Sequence, residues 1–172
     1  MAQELTNILE NNYYVNTPRW SGNSTTGEVL TFGVGETDPT VNANWKSPST
    51  NVISDNGDLL HLFDYTTNPG SVTYTGTQPV VVDCYGVVSA KSDVTNTLLR
   101  FQWAKNGTTD PARFLYHNIG NSNDAISLPS TNSFVLANGD YLDFFFNADK
   151  ACDITIDKAE WQVRGISTDW TA

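Results

Sequence analysis

Residues 134–166 read FVLANGDYLDFFFNADKACDITIDKAEWQVRGI, and the periods in this stretch decide the fold. Leu142, Phe144 and Phe146 alternate with Tyr141, Asp143 and Phe145, the period of two expected of a strand. Asn138-Gly139-Asp140 just ahead of them is turn chemistry. Cys152, Ile154 and Ile156 begin a second alternation, and Trp161, Val163 and Gly165 continue it with shifted parity after Lys158-Ala159. A one-residue shift turns every following side chain to the other face, so a β-bulge or corner is expected there.

The same grammar extends toward the N-terminus. Residues 79–90 place Val80, Val82, Cys84, Gly86 and Val88 on one face. Residues 96–105 set Leu99, Phe101 and Trp103 against Arg100, Gln102 and Ala104, and Asn106-Gly107-Thr108 closes the strand with the dipeptide of tight hairpins. Residues 112–118 are expected as its partner, and 125–129 and 132–137 as two shorter strands. Earlier, 28–32 is a short strand and 33–50 a long polar connection. Residues 51–54 lead through Asp55-Asn56-Gly57-Asp58 into 59–65, a hairpin signature, and 71–75 follow a turn at 66–70. Short strands with regular turns mark a sandwich or barrel, and the absence of a fixed repeat excludes a propeller or β-helix.

A chain of 172 residues suits one domain and buries enough surface to fold without a metal or disulfide. Residues 28–172 are read as that domain and 1–27 as an N-terminal arm. In the arm Leu5, Ile8 and Leu9 share one face of about two helical turns, too little to be stable alone. Nine basic against nineteen acidic residues give a net charge of −10, which disfavours nucleic acid and anionic membrane surfaces as partners. No secretory leader is expected. Cys84 and Cys152 lie in apolar strand runs and read as buried free thiols, with a disulfide between neighbouring strands as the alternative.

Residues 98–108 (LLRFQWAKNGT) and the layout of 134–166 resemble the jelly-roll domains of the C1q and tumour-necrosis-factor type, particularly those of bacteriophage virion proteins. The resemblance covers chiefly residues 79–166, about half the chain. No collagen-like or coiled-coil stalk is expected ahead of it, and 33–75 matches nothing comparable. It implies an all-β jelly-roll β-sandwich with a short N-terminal arm, assembled as a homotrimer through apolar and aromatic contacts. If Leu142, Phe144 and Phe146 fill the core, Tyr141 and Phe145 face outward. They are therefore the candidate trimer contacts, unless the 33–75 segment covers them.

On that footing the expected function is a virion structural protein, a capsid decoration (cement) protein that stabilises the head. It would be made in the host cytoplasm and located on the capsid surface. The arm residues Leu5, Ile8, Leu9, Tyr13, Tyr14 and Trp20 would contact the major capsid protein or a neighbouring subunit. The alternative is a receptor- or carbohydrate-binding tip module of a fibre, with a surface glycan as partner and Trp20, Trp45, Trp103, Trp161 and Trp170 as candidate platforms. Trp103 and Trp161 alternate with strand residues and read rather as core or interface, and the competing role for Trp20, Trp45 and Trp170 is to anchor arm, loop and tail.

Catalysis finds little support. His61 and His117 are the only near-neutral bases, and neither sits in a nucleophile motif. Asp55-Asn56-Gly57-Asp58 offers oxygen ligands but lacks the spacing of a calcium loop. Asp140 and Asp143 read as a corner residue and a strand residue, not as a glycosidase pair. Asn23-Ser24-Thr25 and Asn106-Gly107-Thr108 fit the glycosylation pattern but read as turns. No catalytic residue, cofactor or metal is expected.

Overall fold

Among the described residues twelve strands follow one another, with one 3₁₀ turn at Asn42–Asn44. They are β1 (Asn12–Val15), β2 (Pro18–Trp20), β3 (Glu28–Phe32), β4 (Ile53–Asp55), β5 (Phe63–Asp64) and β6 (Val72–Tyr74). The longer ones are β7 (Val80–Ser92), β8 (Thr97–Lys105), β9 (Leu115–Ile119), β10 (Ile126–Leu136), β11 (Tyr141–Ala148) and β12 (Cys152–Ser167). The computed structural model describes residues 12–15, 18–20, 28–48, 53–55, 63–64 and 71–167.

The strands form two antiparallel sheets. One has the order β10-β7-β12-β2-β4, with β1 and β3 also paired to β12; the other runs β5-β6-β11-β8-β9. Among the principal strands the pairs nest. β8 pairs with β9, β7 with β10, β6 with β11 and β3 with β12. One long hairpin rolled up on itself, so that alternate pairs lie in opposite sheets, is a jelly roll. The all-β jelly-roll β-sandwich is therefore the fold.

The alternations set out above produce this packing. Val80, Val82, Cys84, Val88 and Ala90 of β7 face Leu99, Phe101 and Trp103 of β8 and Leu142, Phe144 and Phe146 of β11 in one buried core. Phe144 stands edge-on to Trp103, with centroids 5.1 Å apart, and to Phe146 at 5.2 Å. Such contacts add to the roughly 1.5–3 kcal/mol that burying each large side chain contributes. The expected parity shift in β12 lies between Ile156 and Lys158. It lets Ile154 and Ile156 before it and Val163 after it all reach the core. Lys91 meets the bulged Asp157 at 3.3 Å. Cys84 and Cys152 are free and buried.

Four expectations change. Residues 125–129 and 132–137 are one strand, β10, with Pro129 in register opposite Val87. A proline is tolerated there because β10 is a sheet edge. The hairpin expected over 51–65 is not formed between its described parts. Ile53–Asp55 pairs with β2 in one sheet and Phe63–Asp64 with β6 in the other; Asn56, Gly57 and Asp58 lie outside the described residues. The partner of β8 begins at Leu115, not at 112. Finally, part of the arm belongs to the sheet: β1 pairs with residues 163–166 of β12, and β2 with 159–160. Together with β3 they line the second edge of that strand.

Candidate functional site

The outer face of the β11–β8 sheet is where Tyr141 and Phe145 were placed. Both are half-buried, while Asp143 and Asn147 between and beyond them are buried. The reason is residues 33–48, which fold back along this sheet. Lys46 exchanges both backbone hydrogen bonds with Phe146. The Asn147 amide donates to the carbonyls of Glu36 and Asn44 at 3.1 and 3.0 Å, and Arg100 donates to the Asn147 Oδ1 at 2.7 Å. Trp45 is buried against Phe114 with centroids 5.7 Å apart, and its indole N–H donates to the Pro39 carbonyl. The Lys46 ammonium pairs with Glu36 at 2.7 Å, donates to the Thr31 carbonyl and lies 5.2 Å from the Phe32 ring centre. Trp45 thus anchors a connection instead of offering a platform.

The opposite sheet is different. On β7 the positions alternating with the core are Val81, Asp83, Tyr85, Val87 and Ser89. Tyr85 is 41% and Val87 48% exposed. In register beside them on β10 run Val135, Ser133, Thr131, Pro129 and Ser127, all exposed, with Val135 at 59%. β10 carries no charged residue in eleven, although the chain has a net charge of −10. Asp83 is the lone charge among these ten positions, and it accepts a hydrogen bond from Ser133 Oγ at 2.7 Å. β9, the edge of the other sheet, exposes Leu115 and Tyr116, the latter at 68%. Edge strands usually carry charge to repel pairing; β10 has one proline and no charge.

This surface was absent from the expected contacts. Its signal was present, because assigning Val80, Val82, Cys84 and Val88 to the core leaves Val81, Tyr85 and Val87 for solvent. Of the arm residues, Leu5, Ile8 and Leu9 lie outside the described residues. Tyr13 and Tyr14 sit opposite Gly165 and Arg164, and Trp20 opposite Ala159. Trp103 is core; Trp161 lies on β12 opposite Gly86, and Trp170 lies outside the described residues, as does His61. His117 is exposed on β9.

Two carboxylates have unusual surroundings. Asp140 is partly desolvated, which opposes ionisation. Hydrogen bonds from the Ala137 N–H, Lys105 and Asn106 outweigh that and hold its carboxyl at about 2. Asp143 is 7% exposed, and burial pushes its carboxyl up to about 7. Asp140 is thus bound within its turn, whereas Asp143 is buried on β11. Among the described residues no group of three or more His, Cys, Asp or Glu side chains is placed to hold a metal.

No protein-family model and no curated protein matches the chain. Among solved structures, it is similar to the Eiger TNF of S. frugiperda, with 11% identity, a TM-score of 0.45 and coverage of 92% of this chain and 98% of that one. It is also similar to an exo-β-1,3-galactanase of Phanerochaete chrysosporium crystallised with galactose. There the identity is 12% and the TM-score 0.28, over 79% of this chain and 26% of that one. The jelly-roll assignment stands on the strand order itself.

Proposed function

We propose that this chain is a structural assembly domain that associates with copies of itself through the outer face of β7 and β10. In its finer form the reading is a homotrimeric bacteriophage decoration protein that cements the capsid. The observation that carries self-association is the strip of Tyr85, Val87, Pro129, Thr131 and Val135, in which Asp83 is the one charge. Exposed apolar surface bordered by hydroxyl side chains is what a subunit contact requires. Such a contact must bury on the order of 1,000 Å² in total to be stable. Tyr141 and Phe145, half-buried, are the secondary candidates for this contact.

The sheet that presents the strip also carries β1 and β2 on its other side. That arrangement supports a role for Tyr13, Tyr14 and Trp20, with Leu5, Ile8 and Leu9, in contacting the major capsid protein. The mechanism is adhesive: whatever binds only the assembled state stabilises it by mass action.

Light scattering at micromolar concentration tests the first step. The natural chain is expected to be a trimer whose melting temperature rises with concentration, and a Tyr85→Lys, Val87→Asp variant a folded monomer whose melting temperature does not. A monomeric natural chain, or a trimer indifferent to these substitutions, overturns the assignment of this face. Particles lacking the protein test the finer reading: they should burst at lower temperature while still adsorbing to cells. Unchanged particle stability with lost adsorption would instead make it a receptor-binding tip.

A further inference from the structure

The β8–β9 connection leaves a gap in the sandwich. Asn106 and Gly107, with φ of 53° and 67°, reverse the chain, and Thr108 bridges back to Lys105. The chain then bows outward. Thr109 is held by Asn42 Oδ1, through its N–H at 2.9 Å and its hydroxyl at 2.6 Å. The Asp110 N–H donates to Gln102 Oε1 at 2.9 Å. β9 rejoins β8 only at Leu115 opposite Phe101, so among the described residues the β9-side edge of β8 from Gln102 to Ala104 has no strand beside it. Across the gap, the inward positions of β10 are buried at Leu128, Ser130 and Leu136 but half-buried at Asn132 and Phe134. The result is a half-open cleft of about 370 Å³ lined by Gln102, Trp103, Asp110, Arg113, Asn132 and Phe134.

We infer that this cleft binds one unit of a neutral sugar. Its size is near the lower end of small-molecule sites, roughly 300–1,000 Å³, so it suits a ring and not a peptide. Its cations are neutralised: Lys105 pairs with Asp140 at 2.7 Å and Arg113 with Asp110 at 3.4 Å. With a net charge of −10 on the chain, an anion is repelled, and a cation finds the carboxylates already engaged. What the walls offer is amide hydrogen bonding beside aromatic surface. The Gln102 side chain is 2% exposed, and its Nε2 has no acceptor among the described residues. Asn132 uses its Oδ1 on the Ser133 N–H, which leaves its amino group as a donor. Hydroxyl oxygens accept from such donors, and the C–H face of a pyranose packs on the Phe134 ring. This reading goes beyond self-association and is tested without reference to it.

The test is an amide NMR titration of the full chain with methyl glycosides of glucose, galactose and N-acetylglucosamine. Saturable millimolar shifts are expected for at least one of them, confined to the Gln102 and Asn132 side-chain amides, the Trp103 indole N–H and residues 106–113. Asn132→Ala should weaken binding about tenfold, equivalent to one lost hydrogen bond, without moving the melting temperature. Absence of saturable shifts overturns the inference, as does an unaltered affinity in Asn132→Ala. So do the same shifts produced by inorganic phosphate, or by raising the protein concentration alone, which would make the occupant a second copy of the chain.

Discussion

The side-chain amide of Asn147 donates to the carbonyl of Asn44 at 3.0 Å, across 103 residues of sequence. Asn147 is fully buried, and its Oδ1 accepts from Arg100 while its Nδ2 also reaches Glu36. One side chain therefore ties the 33–48 segment to the sheet at two points, beside the backbone pair of Lys46 and Phe146. Asn147→Ala should cost about 2–4 kcal/mol, because several buried polar groups lose partners together. Urea melts measure the loss, and amide exchange should quicken at residues 36–46 before anywhere in β7.

Asp143 should make the fold more stable at acid than at neutral pH. Its carboxyl lies at about 7 in the folded chain against an ordinary 3.8. Folding therefore takes up a proton between those values, and stability is lost as pH rises through that window. At about 1.4 kcal/mol per unit, Asp143→Asn should gain a few kcal/mol at pH above about 7 and little below about 4. Denaturant melts across that range check the sign; a variant whose gain is independent of pH contradicts it.

Asp140 works in the opposite sense. Held at about 2, it stabilises above the ordinary carboxylate value and ceases to as pH falls toward 2. Asp140→Asn should cost about 1–2 kcal/mol at neutral pH, the range of charge-assisted hydrogen bonds discounted for exposure. The difference from the natural chain should vanish near pH 2.

Cys84 should resist thiol reagents. Its thiol is pushed well above the ordinary value by burial and by the neighbouring charge of Asp83, so little nucleophilic thiolate forms. Ellman's reagent at mildly alkaline pH should leave it unmodified in the folded chain and react fully in urea.

Much of this fold was legible because its long strands place their apolar side chains at alternate positions on the core face. Val80, Val82, Cys84 and Val88, or Leu142, Phe144 and Phe146, have one arrangement that satisfies them, and the bulge near Lys158 followed from parity alone. Residues 51–65 were misread because Asp55-Asn56-Gly57-Asp58 is good hairpin chemistry, whereas pairing depends on sheets that local residues do not specify. That Trp45 anchors its loop was one of two readings its place in a polar segment allowed; its partner Phe114 is set by tertiary contact and so could not decide between them. The uncharged face of β10 was readable from composition but not from periodicity. Pro129 split that strand in two on paper, although an edge accommodates it.

The nesting of strand pairs also orders the search for the folded state. Each inner pair, once formed, shortens the loop that the next pair must close, and closure entropy grows with loop length. The hairpin of β8 and β9 can form from nearby residues, whereas β3 waits for β12, most of the chain later. A chain emerging from the ribosome thus holds β1, β2 and β3 without their partner until residues 152–167 have been made. Refolding should be slow for the size of the chain, and that interval, with the β12 edge of β7 still unpaired, is when copies can associate wrongly.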